Sequence, residues 1–328
     1  MNKEIEQQYG LRVRQIENRA RYRTFTQGNA LYIIAPTTES EMELQELWQM
    51  GTYLLMKGDH TVASLLPTRS GNMVGKVNGE TVTLWKGSVH ERNKQMAKEL
   101  AKLHQRGRTY PYPVQFHKRI GEWKDLWSRR LDQLEQFWKN KMKKHPENEF
   151  DKQFFESFPY YLGLTENAIQ YLVDTELDDF PQPVDSATIC HHRFRSSIWE
   201  DMIVKIPLDW VYDHCARDLS EWIREQWLHS SDEAEIHSFL SDYERISPLS
   251  RFSWRLIYAR LLFPLHYFEC VEGYYLAKDE RERKRYEIEL YNILDKTNEY
   301  ERCLGRFHDL LKHRAMSFHL PTIHWLKN

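Results

Sequence analysis

The 328-residue chain is poor in cysteine, glycine and proline. Four cysteines (Cys190, Cys215, Cys270, Cys303) are too few for a disulfide scaffold and point to a reducing compartment. With 13 glycines and 12 prolines, collagen-like, low-complexity and disordered classes are excluded. No apolar run reaches the roughly 18 residues that would span a bilayer. The opening residues, MNKEIEQQ, are polar and carry no apolar core, so no secretory signal is expected. No N-x-S/T acceptor is present. Charge of one sign is lacking too: 46 Lys+Arg face 48 Asp+Glu, a net charge of −2. Such a balance sets up no long-range field for nucleic acid or anionic lipid. The expectation is cytoplasmic synthesis, with no membrane insertion and no nucleic-acid partner.

Apolar and aromatic residues are plentiful, at 41% and 13%. A chain of this length can bury a sizeable core, and its length allows about two domains of roughly 150 residues. The first ninety residues are patterned for strands. Residues 11–17 (LRVRQIE) and 21–27 (RYRTFTQ) alternate, and Gly28-Asn29 reads as a turn into 30–35 (ALYIIA). A helix is expected from the hydroxyls and acids of TTESE to about Met56, closed by Lys57-Gly58. Residues 62–67, 71–77 and 80–85 read as further strands, the last two joined by Asn78-Gly79.

The remainder is mostly helical in pattern, with helices expected at 90–105, 122–144 and 150–172 and again from Ala216 onward. Ser247–Ser250 should start one helix and Pro264 kink it. Two β-like pieces, 187–191 (ATICH) and 202–208 (MIVKIPL), interrupt this part. The expected division is a β-rich lobe, 1–86, and a helical lobe, 87–328, with the seam at 84–88 (LWKGS).

The segment 187–210 is the most informative. It reads strand, turn, strand, then Leu208-Asp209-Trp210, a layout in which kinase-fold phosphotransferases place a catalytic Asp, a metal-binding Asn and a second metal-binding Asp. Ile189-Cys190-His191-His192-Arg193, Ile198, Leu208-Asp209-Trp210 and Asp218-Leu219 follow the order of a pattern L-C-H-G-D-x-x-x-x-N, I-D-W, D-L. Here the chain resembles the aminoglycoside phosphotransferase and choline kinase superfamily. Within it, the chain is similar to the spore-coat branch, the CotS/YutH-type endospore coat-associated proteins. Residues 99–104 (ELAKLH), 242–250 (DYERISPLS) and 261–264 (LLFP) support this, and the likeness runs from about Tyr9 to Tyr275. It implies an α+β, two-lobed, protein-kinase-like fold with a small β-rich N-lobe and a larger helical C-lobe. It also implies a chain made in the mother-cell cytoplasm and then incorporated in the spore coat, with other coat proteins as partners.

Departures from the superfamily pattern decide the expected chemistry. Arg193 stands where the catalytic Asp belongs and Ile198 where the metal-binding Asn belongs. Residues 31–36 (LYIIAP) hold no phosphate-binding Lys, and 17–21 (ENRAR) replace a Gly-rich loop. Phosphoryl transfer depends on positioning and charge stabilisation by those groups. The expectation is a pseudokinase that serves as a structural component of the coat, with no catalytic residue and no cofactor. Asp209 is a residual metal position, or a buried acid paired with Arg193 or Arg195. Asp218 is a brace of the loop, or a helix N-terminal carboxylate. The alternatives are an active ATP–Mg phosphotransferase, with Asp209 for metal and His191 or Asp201 as base, and a nucleotide sensor without turnover. Cys190, His192, His214 and Cys215 form a possible zinc set whose spacing matches no known module. The basic runs 139–144 (KNKMKK) and 281–285 (RERKR) read as solvated helix faces. The aromatics between Trp123 and Tyr161 read as core or as an exposed partner patch.

Overall fold

A computed structural model of the chain describes residues 1–19, 21–88, 95–199, 204–229, 232–311, 320–321 and 323–327. Two compact units divide it: Met1–Ile120 with Ser186–Asp218 and Phe239–Pro248, and Gly121–Asp185 with Leu219–Ser238 and Leu249–Asn328.

The first unit opens with helix α1 (Asn2–Tyr9), where the polar N-terminus gave no strong signal. Its sheet contains β1 (Glu17–Arg19), β2 (Tyr22–Gln27), β3 (Ala30–Pro36), β4 (Ser64–Leu66), β5 (Gly75–Val77) and β6 (Glu80–Ser88). The order is β1-β2-β3-β6-β4, with β5 also on β6, and all pairs are antiparallel. Asn78 and Gly79 both take positive φ, as the tight β5–β6 hairpin demands. The seam expected at 84–88 lies within β6. The alternation at 11–17 yields only the start of β1, and residues 10–16 are irregular.

Helix α2 (Glu41–Met56) lies between β3 and β4. Ser40 and Glu43 form a capping box, each side chain bonded to the other's backbone N–H. The one buried acid on α2, Glu46, accepts backbone N–H groups of Gln115, Phe116 and His117, and the His117 ring at 2.8 Å. Burial alone would raise the Glu46 carboxyl, but these donors hold it below its usual range.

Helix α3 (Met96–Gly107) follows; residues 89–94, where the helix was expected to begin, lie outside the described residues. Gly107 lets α3 press on strand β7 (Thr188–His191): a Cβ there would lie 2.6 Å from the Ile189 nitrogen. The second unit begins with α4 (Trp123–Lys141) and α5 (Glu149–Asp178). After β7 come β8 (Trp210–Asp213), α6 (Ala216–His229), α7 (Glu233–Glu244), α8 (Arg251–Leu262), α9 (Leu265–Leu276), α10 (Glu280–Asp295) and α11 (Thr297–Gly305). Pro264 ends α8 rather than kinking it, and becomes the N-cap of α9.

The aromatic residues between Trp123 and Tyr161 are mainly core. Trp123, Trp127, Phe154, Phe158 and Tyr161 are buried, and Trp138, Phe155 and Tyr160 are partly so. Trp127 stacks on Phe263 at 4.7 Å. Among the described residues, no helix is long and apolar enough to cross a membrane.

Candidate functional site

All the residues of the site belong to the first unit. Strands β7 and β8 pair antiparallel, with His191 opposite Trp210 and Cys190 opposite Val211. Between them the chain makes a 3-10 turn at Ser196–Trp199 and another at Pro207–Asp209. Residues 200–203 lie outside the described residues, and with them the alternative base Asp201 and the start of the expected strand 202–208. That strand is reduced to one parallel bridge, Lys205 to Val62. The His192 N–H donates to the Asp209 carbonyl at 2.7 Å and closes the loop at its neck.

Beneath this loop lies a buried hydrogen-bonded cluster. The Asp218 carboxylate accepts the backbone N–H of His191 (2.9 and 3.1 Å), His191 Nδ1 (2.8 Å) and His104 Nε2 (3.1 Å). Burial alone would raise this carboxyl, but the two histidines hold it well below the usual carboxylate range. Because Asp218 must accept, His104 Nε2 donates; its Nδ1 then takes the Tyr243 hydroxyl proton at 2.8 Å. Burial, opposed by Asp218, brings His104 down to about 4. His191 Nε2 is buried and has no hydrogen-bond partner among the described residues.

Asp209 has a different partner from the one expected. The Tyr22 hydroxyl donates to Asp209 Oδ1 at 2.5 Å, and the Arg21 guanidinium forms an ion pair with the same oxygen. Arg21 also lies 5.0 Å over the Tyr22 ring. Arg21 lies in the β1–β2 connection and Tyr22 opens β2, where the register sets it opposite Arg19. Arg193 is half-buried, and its Nη1 donates to the carbonyl of His192 at 2.8 Å. A metal ion at Asp209 would have to displace an arginine. The carboxylate alone supplies too few ligands for a cation that wants six oxygens.

The underside of the sheet is filled in a matching way. Val204 and Ile206 join Tyr22, Leu31, Ile33, Ala35 and Trp85 in one apolar cluster. A pocket against β2 and β3, beside Ile198 and Asp209, holds about 70 Å³, and a second one beside it, lined by Arg21, Tyr22, Thr37, Glu39 and Leu208, about 310 Å³. Sites for drug-sized ligands usually hold about 300–1,000 Å³. Leu31 and Ile33 line the smaller pocket from β3. In active kinases a Lys on the third strand pairs with an acid of the following helix. Here β3 has no Lys, and the acid of α2 is engaged by residues 115–117.

Lys205 carries a feature that the sequence reading missed. Its side chain is fully buried, with Nζ 2.7 Å from Asp59 and 3.7 Å from Glu99. Asp59 also takes Arg106 at 2.9 Å and the Thr61 hydroxyl at 2.6 Å. Burial pulls the Lys205 ammonium down and Asp59 pulls it up, leaving it below its usual value. The backbone bonds Lys205 to Thr61 and Ala63 at 2.9 and 2.8 Å. Gly51 makes room for the next residues: a Cβ there would lie 2.9 Å from the Pro207 ring. The one sequence signal was a lysine alone in an apolar run, 202–208.

The zinc set does not converge. His192 is exposed, while Cys190, His214 and Cys215 are buried. The Cys190 thiol donates to the carbonyls of His214 and Asp213 (3.4 and 3.6 Å), and burial raises its pKa well above the usual value. Cys215 Sγ is 3.9 Å from His214 Nδ1, which already accepts the Ala216 N–H. The ligand atoms that do approach one another among the described residues are those of His104, Cys190 and Asp218. Each of the three already has a hydrogen-bond partner in the cluster above.

Comparisons with known proteins agree with this architecture. Residues 2–307 match the family described as "Spore coat putative kinase YutH". The chain belongs to that family. It is 44% identical over 329 residues to the endospore coat-associated protein YutH of Bacillus subtilis (strain 168), covering 98% of this chain and 97% of that one. Its fold is the kinase-like fold of the aminoglycoside phosphotransferases. An aminoglycoside phosphotransferase of Alicyclobacillus acidocaldarius superposes with a TM-score of 0.64 at 14% identity, covering 92% and 93% of the two chains. A spectinomycin phosphotransferase superposes with a TM-score of 0.61 at 10% identity, covering 90% and 92%.

Two outcomes follow from the buried groups. Replacing Lys205 by Met leaves Asp59 short of its main partner, and should cost roughly 3–5 kcal/mol of unfolding free energy. Adding Asp59→Asn should recover part of that loss; chemical denaturation of the two variants checks it. The second concerns pH. His104 has an ordinary value of 6.5 and a folded value of about 4. Between these values the unfolded chain binds the proton and the folded chain does not. Stability therefore falls as pH drops from 6.5 toward 4, and His104→Gln should flatten that part of the slope.

Proposed function

We propose that this chain is a structural component of the endospore coat that keeps a kinase fold without kinase chemistry. The observation that carries the reading is the pairing of Asp209 with Arg21 and Tyr22. The one acid left at a family metal position is neutralised by a cation of the protein itself. Arg193 and Ile198 at the other two family positions supply neither a base nor a metal ligand. Removing even the base alone costs about 10²–10⁴-fold in general-base catalysis. Losing a metal site and the phosphate-binding Lys as well removes the positioning and charge stabilisation on which phosphoryl transfer rests.

The residues around Asp209 do not fit an ATP–magnesium complex, because Arg21 and Tyr22 already hold its carboxylate. In this reading Asp218 acts as a brace. It holds the backbone of His191 and, through His104, ties the loop to α3 and α7. The coat location and partnership with other coat proteins rest on the family and on the 44% identical Bacillus subtilis relative, which is coat-associated by name.

Thermal unfolding with and without Mg-ATP tests the reading. A ligand at one hundred times its dissociation constant raises stability by about 2.7 kcal/mol, a visible shift in midpoint. The expected result is no shift at millimolar nucleotide. A magnesium-dependent shift, lost on Asp209→Asn, would overturn it.

A further inference from the structure

We propose that Asn78 is a self-modifying position: its side-chain amide is lost through a ring closed by the Gly79 nitrogen, and the product loosens α1 from the β5–β6 hairpin. Asn78-Gly79 is the one Asn-Gly pair in the chain. The two residues form the exposed tip of a two-residue turn between the paired residues Val77 and Glu80. Their φ values are 52° and 81°.

Two features leave the reacting atoms open. Among the described residues, neither the Asn78 side-chain amide nor the Gly79 N–H has a hydrogen-bond partner. A Cβ built on Gly79 would meet no atom within 4 Å, so that side of the turn is open space. Glycine itself puts no side chain beside the attacking nitrogen. The other asparagines at turns of this sheet differ. In the β2–β3 hairpin the order is reversed, and Asn29 is followed by Ala30, which is paired with Gln27. Asn72 is followed by Met73, and its Nδ2 donates to the Ser70 hydroxyl at 3.3 Å.

The step is redox-neutral and needs only water. The Gly79 nitrogen bonds to Asn78 Cγ, the Cγ–Nδ2 bond breaks, and ammonia leaves with the Gly79 proton. A five-membered imide remains. Water opening it at the side-chain carbonyl gives aspartate. Water opening it at the main-chain carbonyl gives isoaspartate, in which the backbone runs through the side-chain carbon. Closing the ring requires the turn to leave its left-handed conformation. Strand β5 has only three residues, so this opening is local.

The consequence falls on α1, which is fastened to this hairpin. Gln8 Nε2 donates to the Lys76 carbonyl at 2.6 Å, and Gln8 Oε1 accepts the Lys76 N–H at 2.9 Å. The Glu4 carboxylate accepts the Asn78 N–H at 3.2 Å. Gly75 lies against Tyr9, since a Cβ there would be 2.6 Å from the Tyr9 hydroxyl. Either product places a new carboxylate beside Glu4, where like charges repel. Isoaspartate also lengthens the backbone of a turn built for two residues, and so shifts the groups that Gln8 and Glu4 hold.

Ageing the full chain over weeks at mildly alkaline pH tests this, with peptide mapping by mass spectrometry and hydrogen exchange of residues 2–9. The expected result is conversion at Asn78 to both aspartate and isoaspartate, ahead of Asn29 and Asn72. Exchange in α1 should become about tenfold faster or more in the converted chain. Asn78→Gly keeps a residue suited to the left-handed turn and has no amide to lose, so its α1 exchange should not change with age. Asn78→Asp carries the charge without the extra backbone carbon, and should show part of the loosening from the start. An Asn78 that keeps its amide, or that yields aspartate alone, would overturn the ring step. Conversion with unchanged exchange in α1, or equal loosening of aged Asn78→Gly, would overturn the consequence drawn for α1. None of these readouts depends on Asp209 or on nucleotide.

Discussion

A guanidinium and a carboxylate set the character of the first unit. Arg21, in the connection between β1 and β2, reaches Asp209 at the start of β8, with the Tyr22 hydroxyl on the same oxygen. In a phosphotransferase that connection is kept small so that backbone N–H groups can cradle phosphates, and the Asp is left free for metal. Here the two roles cancel. A side chain long enough to reach the acid occupies the turn, and the acid becomes part of the protein's own ion pair.

The surroundings hold that arrangement from several sides. Asp209 lies at the end of a 3-10 turn whose Pro207 rests against Gly51 of α2. Two residues earlier, Lys205 is buried against Asp59 and pins the backbone to Thr61 and Ala63. Val204 and Ile206 alternate with Lys205, and so turn to the apolar side of the sheet beside Leu31 and Ile33. One short segment therefore satisfies a buried charge on one face and fills the sheet's underside with the other. On the far side of the loop, Asp218 fixes His191 by three hydrogen bonds and His104 by a fourth. These hydrogen bonds hold the backbone at His191 and tie it to α3.

Much of this was legible in the order of residues. The hairpin at Asn78-Gly79 and the cap at Ser40 follow from local chemistry, which needs no distant partner. The long helices α4 and α5 follow from apolar periodicity. The segment 187–210 was found from motif order, and the family match agrees with the resemblance drawn from it. What was not legible depends on distant pairs. Asp209 was expected to pair with an arginine nearby in sequence, Arg193 or Arg195, whereas its partner is 188 positions earlier on another element. Strand β8 was missed because Trp210–Asp213 is too short to alternate visibly, and its pairing with β7 defines it. Lys205 was read as one residue of a strand; its burial is explained only by Asp59 and Glu99, which no local pattern brings to it. The aromatic helices showed the same limit, since helical spacing cannot distinguish an inward face from an exposed one.

Membership of a spore-coat family and a phosphotransferase fold are compatible if the fold is retained as a rigid body for assembly. On that account the metal position is already filled by protein. Manganese, which replaces magnesium and is paramagnetic, reports this directly. Electron paramagnetic resonance of the full chain with Mn²⁺ and ATP should show the nucleotide-bound ion free of protein, with the same spectrum for wild type and Asp209→Asn. A protein-bound Mn²⁺ signal in the wild type that disappears in Asp209→Asn would contradict the account.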